Sequence, residues 1–237
     1  MAGQVDHPGW CVTYWDLAFL RQEVREALES GQIQLENDDA EHAEDEAYGP
    51  SIYTVNEQYI MPVTQQAGKM SWALMRHPDG LECELFISHA WQEGVFEFLA
   101  KVRHSWPRSV QTAWCCMLAN PQNLDISSFL QSPKTSPFAV ALEASKVMLV
   151  VPNRHQSVYT RLWCSYEVYL APEDGKTILI AHSSNFFSGL VGFDVVGFSC
   201  YVWRGYWDYG YVSGVQADLH SSRAHHCGVR LQPRDIQ

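Results

Sequence analysis

Glu167 stands in the stretch RLWCSYEVYL (161–170) as a single carboxylate among mostly aromatic and aliphatic residues. On a helix, Thr160, Trp163, Cys164 and Glu167 share one face, because positions three, four and seven apart stack above one another. This spacing sets the carboxylate over the Trp163 indole, away from Arg161 and Ser165. A glutamate held in a partly dry pocket is available for electrostatic or acid–base work. Helical geometry alone favours the plainer alternative, an exposed glutamate near Arg161 or Lys176.

Other residue groups offer less. Ser88 and His89 are consecutive, and adjacent strand residues point to opposite faces, so they make no nucleophile–base pair by themselves. No G-x-S-x-G elbow surrounds them. His89 is expected to pack locally or to touch a ligand. In HSSRAHHC, residues His220, His225, His226 and Cys227 lack the paired spacing of a zinc knuckle, so no metal is expected. The DGK at 174–176 lacks the glycine and the strand–helix setting of a phosphate loop. Arg154 and Arg161 flank the expected cleft, where a pyrophosphate would meet them, although exposed arginines are the default.

Any such chemistry needs a frame, and the apolar pattern supplies one. Residues 14–29 carry Leu17, Leu20, Val24 and Leu28 at helical spacing, with Gly31 as a stop. In 51–82 the signals are weak: YIMPVT reads as a short extended piece and KMSWALMRH as a short helix ended by Pro78-Asp79-Gly80. From Glu84 the pattern sharpens into ELFISHA (strand), EGVFEFLAKVRHSW (helix), VQTAWCCMLA (strand), SPFAVALEAS (helix), KVMLVV (strand), SVYTRLWCSYEVYLA (helix) and KTILIA (strand). Continuous apolar strands alternating with helices imply an α/β fold with a parallel sheet covered on both faces. Ligands of such sheets bind beyond the carboxyl ends of the strands. Those ends are Ser88 to Trp91, Ala119-Asn120 and Pro152 to Arg154.

Composition sets outer limits. The chain has 237 residues, of which 46% are hydrophobic, enough for a sizeable core. Of the net charge of −11, nine units lie within residues 16–46. The acidity therefore belongs to one segment, and no Lys/Arg cluster invites nucleic acid or an anionic membrane. No apolar run approaches the ~18 residues of a membrane span. Seven cysteines, without CxxC spacing and without a visible secretory signal, point to reduced, buried thiols in a cytoplasmic protein. Cys115 and Cys116 are expected to point to opposite faces of a strand.

FISHAW at the end of the first parallel strand and WCSYE on the later helix together resemble a Toll/interleukin-1 receptor (TIR) domain. The resemblance covers roughly Leu81 to His182, with Trp163, Cys164 and Glu167 matching the family's WCxxE element. SPFAVALEASKVMLVVPN, YTRLWCSYEVYLA and the lead-in YIMPVTQQAGKMSWALMRHPDGL are similar to a protist-type, TIR-like family with a SHAW strand ending. The resemblance implies a flavodoxin-like sheet and cleavage of NAD at the nicotinamide–ribose bond. It makes Glu167 the catalytic carboxylate, with Ser88, His89, Trp91, Asn120 and Trp163 as substrate-binding residues. NAD is then substrate, and no cofactor is implied. The product is linear or cyclic ADP-ribose, and the domain self-associates. Animal receptor TIR domains share WCxxE yet act mainly as adaptors, so a non-catalytic interaction module is the alternative. A nucleoside-processing transferase is a third.

The expected organisation is an amphipathic helix and acidic linker (1–50), a lead-in (51–80), a TIR-like domain (81–182) and an extension (183–237). The extension holds ten of thirty aromatics, seven of fifteen glycines and no lysine. Its composition leaves open a divergent completion of the sheet, an added β-element or a non-native read-through end.

Overall fold

A computed structural model describes residues 7–35, 45–125, 132–154, 164, 167, 170–171 and 175–183. Trp163 and the extension from 184 onward lie outside the described residues, as do Arg161, His220, His225, His226 and Cys227.

The chain enters through a two-residue strand, β1 (Val12–Thr13), and turns directly into helix α1 (Tyr14–Glu29). Thr13 caps this helix by accepting from Asp16 N, and the Asp16 carboxylate accepts from Thr13 N in return. Asp16 also meets Arg76 Nε at 3.1 Å and His77 Nε2 at 2.6 Å, tying the helix start to α4 (Trp72–Arg76). Leu17, Leu20 and Val24 are buried along α1, as the spacing predicts, whereas Ala27 is buried and the expected Leu28 only half-buried. Gly31 then takes a positive φ of 74°.

YIMPVT, expected to be extended, is helical instead. Ser51 caps α2 (Ile52–Val55), a π-helical turn follows at Asn56–Ile60, and α3 (Met61–Gln66) completes the run. The widened turn, in which Met61 N donates to Asn56 O, falls immediately before Pro62. A proline has no N–H to give and crowds the carbonyl four residues back, so the relaxed turn lets the helix continue.

The sheet has five strands in the order β1-β3-β2-β4-β5, with β2 (Leu85–Ser88), β3 (Thr112–Cys115), β4 (Val147–Val150) and β5 (Thr177–Ile180) mutually parallel. β1 pairs antiparallel with β3 at one edge, making the sheet mixed. That edge strand is too short for period-two patterning to reveal. Alternation along the parallel strands sorts the core into two layers. Leu85, Ile87, Ala113, Cys115 and Leu149 pack with α1 and with Val95, Phe98, Leu99 and Val102 of α5 (Val95–His104). Phe86, Trp114, Met148 and Val150 pack with Ala141 and Leu142 of α7 (Pro137–Ala144), and with Cys164 and Ala171.

The expected strand VQTAWCCMLA is shorter than its apolar run. β3 stops at Cys115, and Cys116–Ala119 form a helical turn, α6. The Gln122 side-chain amide donates to the Cys116 and Met117 carbonyls, and Asn120 N donates to Cys116 O. These bonds satisfy a turn that apolar pattern alone cannot separate from a strand. The end of the acidic segment, read as a solvated linker, is also fixed. Tyr48 is buried, and its carbonyl accepts from Phe96 N and Glu97 N.

Candidate functional site at the carboxyl ends of β2 and β4

The crossover helix α5, between β2 and β3, packs on one layer, whereas α7, between β3 and β4, packs on the other. Connections leaving neighbouring strands on opposite faces open a crevice at the carboxyl ends, here between β2 and β4. Ser88 closes β2, pairs in register with Val150, and accepts from Val151 N through its backbone oxygen.

Because Phe86 faces the α7 layer, alternation turns Ser88 the same way. There it meets Glu167. Residues 164, 167, 170 and 171 are helical, with Cys164, Glu167 and Ala171 buried. Glu167 is only 4% exposed and Ser88 only 1%. The Ser88 hydroxyl donates to Glu167 Oε2 at 2.5 Å. The exposed glutamate favoured by helix geometry is therefore overturned. Lys176 does not serve it among the described contacts, since its ammonium donates to the Glu143 and Ser145 carbonyls.

His89 takes the opposite direction from Ser88, as expected of consecutive strand-end residues. Its ring lies 4.5 Å from that of Phe98, on the α5 side. The backbone oxygen of His89 accepts from Cys164 Sγ at 3.6 Å, a second tie between this strand end and the Glu167 helix. Trp91 is half-buried and donates its indole N–H to Cys116 Sγ at 3.2 Å. Its ring centroid lies 5.4 Å from that of Tyr53, half-exposed on α2. Asn120 is buried at the end of α6, its side-chain oxygen without a hydrogen-bond partner among the described residues. The described contacts thus join Ser88 directly to Glu167 and gather His89 and Trp91 about the α6 thiol.

A charged cluster beside the crevice was not anticipated from sequence. Lys101 Nζ lies 3.3 Å from Glu93 and 2.9 Å from Glu97, and donates to Pro152 O at 2.6 Å. Arg154 reaches Glu97 at 2.7 Å and Asp45 at 3.1 Å, and its guanidinium lies 5.1 Å from the centre of the Tyr48 ring. Arg154 is thus engaged by carboxylates. Glu93 is fully buried, and desolvation pushes its carboxyl up to about 8 despite the opposing pull of Lys101. The Glu93, Glu97 and Lys101 spacing of four was the available signal, but fourfold spacing is common on exposed helices.

Among the described residues, no group of three or more His, Cys, Asp or Glu side chains is arranged to hold a metal ion. No described helix is long and apolar enough to cross a membrane. Comparison with protein-family models, curated proteins and solved structures finds no match to this chain.

Proposed function

We propose that the chain is a TIR-like domain with a flavodoxin-like sheet that cleaves NAD at the nicotinamide–ribose bond, with Glu167 as the catalytic carboxylate. The observation that carries this reading is the buried Ser88–Glu167 hydrogen bond at the β2/β4 crevice. Nicotinamide departs as a neutral ring and needs no general acid. The ribose it leaves develops oxocarbenium charge, which an ionised carboxylate stabilises electrostatically or traps. The Ser88 hydroxyl donates to the carboxylate and fixes its orientation. Trp91 offers an aromatic face for a base or nicotinamide, and Asn120 offers a buried acceptor. Self-association through the domain belongs to the same reading, as does water or an internal nucleophile completing either linear or cyclic ADP-ribose.

A second reading rests on the same bond. By joining the Glu167 helix to β2, it gives the glutamate a purely architectural use, suited to a non-catalytic TIR-like interaction module. Nicotinamide release from NAD by the intact chain, compared with nucleoside cleavage and with concentration-dependent sedimentation, separates the readings. Nicotinamide release supports the enzyme, assembly without turnover supports the module, and nucleoside turnover alone supports a transferase.

A further inference from the structure

Cys115 and Cys116 do not point to opposite faces of a strand. The chain passes from β3 into α6 between them, and both thiols approach one imidazole nitrogen. His89 Nε2 lies 3.6 Å from Cys115 Sγ and 3.3 Å from Cys116 Sγ. The Trp91 indole N–H, which can only donate, points at Cys116 Sγ from 3.2 Å. Asn120 lies four residues after Cys116, on the same side of the helical turn, and its side-chain oxygen has no hydrogen-bond partner among the described residues.

The two thiols are not equivalent. Cys115 is 1% exposed and Cys116 is 9% exposed. Burial first, and then the neighbouring Cys116, push the Cys115 thiol well above its ordinary range. Cys116 lies closer to the shared imidazole, which can take its proton, and also has an indole N–H able to hold the resulting negative sulfur. Those are the features that activate a cysteine.

We propose that Cys116 is a reactive thiol that small hydroperoxides oxidise to the sulfenic acid, with His89 as the proton relay. His89 takes the thiol proton, and the thiolate attacks one peroxide oxygen. An S–O bond forms as the O–O bond breaks, and sulfur gives up two electrons. The displaced oxygen takes the proton from His89 and leaves as water when the oxidant is hydrogen peroxide. The Asn120 side-chain oxygen accepts from the peroxide O–H. Trp91 N–H stabilises the sulfur as it gains charge.

The test uses the full chain, a small excess of hydrogen peroxide at pH 6.5, dimedone trapping and peptide mass spectrometry. Cys116 is expected to be labelled ahead of Cys11, Cys83, Cys115 and Cys164. His89→Gln, which removes the group that takes the thiol proton, should slow its labelling at least about tenfold. Trp91→Phe, which keeps an aromatic ring but loses the N–H, should slow it about threefold. Trp91→Phe carries the test by itself if circular dichroism shows that His89→Gln fails to fold. Labelling of Cys116 no faster than of Cys11, or unchanged rates in the folded variants, would overturn the proposal. Neither result depends on NAD turnover.

Discussion

The Ser88 hydroxyl and Glu167 Oε2, 2.5 Å apart, join residues separated by 79 positions in the chain. The bond ties the last residue of a central strand to a helix two crossovers later. It also places a carboxylate, almost without solvent contact, at the point where the connections diverge to opposite faces of the sheet.

Removing the donor should therefore cost more stability than neutralising the acceptor. Ser88→Ala leaves a buried carboxylate short of a hydrogen bond, at about 1–3 kcal/mol. Glu167→Gln keeps an oxygen for Ser88 and should cost about 1 kcal/mol or less. Urea denaturation of both variants at pH 7 checks the order; equal losses would show that the bond contributes little.

Glu93 gives a pH prediction with a definite sign. Its carboxyl is pushed up to about 8, chiefly by burial. Between the ordinary carboxylate range and pH 8, the folded protein holds a proton that the unfolded chain has released. Glu93's contribution is thus fully present below the unfolded value and is lost as pH rises toward 8, by at most about 1.4 kcal/mol per pH unit for one proton. Glu93→Gln should flatten thermal stability over pH 5 to 8. An unchanged slope would mean that Glu93 stays ionised beside Lys101.

Gly94 should resist even alanine. A Cβ there would meet the Tyr48 carbonyl oxygen and ring, with Tyr48 Cγ at 2.6 Å. That carbonyl receives two backbone N–H groups and cannot yield easily. Gly94→Ala should cost about 1–3 kcal/mol by overpacking. Faster proteolytic cleavage near Tyr48 should accompany the loss; a melting curve identical to wild type would contradict it.

The parallel strands and the helices flanking them were legible because each combines a clear apolar pattern with a visible boundary. Gly31, for example, marks the end of α1 in the sequence and takes the positive φ of a helix stop. β1 escaped notice because two residues carry no period. The α2–α3 run was obscured by Pro62, which signals a break unless a widened turn absorbs it. At the site, the Ser88 position followed from pattern, whereas the burial of Glu167 did not. Helical spacing says which residues share a face, but not which face meets the sheet. The convergence of Cys115 and Cys116 on His89 depends on the chain leaving β3 between them, and uninterrupted apolarity hides that change.

The most direct test of the central claim follows NAD and nicotinamide by chromatography at high protein concentration, with and without a crowding agent. Wild type and Glu167→Gln run side by side. The account predicts NAD loss with nicotinamide release in wild type, lowered ~10²–10³-fold or more in Glu167→Gln. Equal turnover in the two proteins, or none in either from folded and assembled chain, would contradict it.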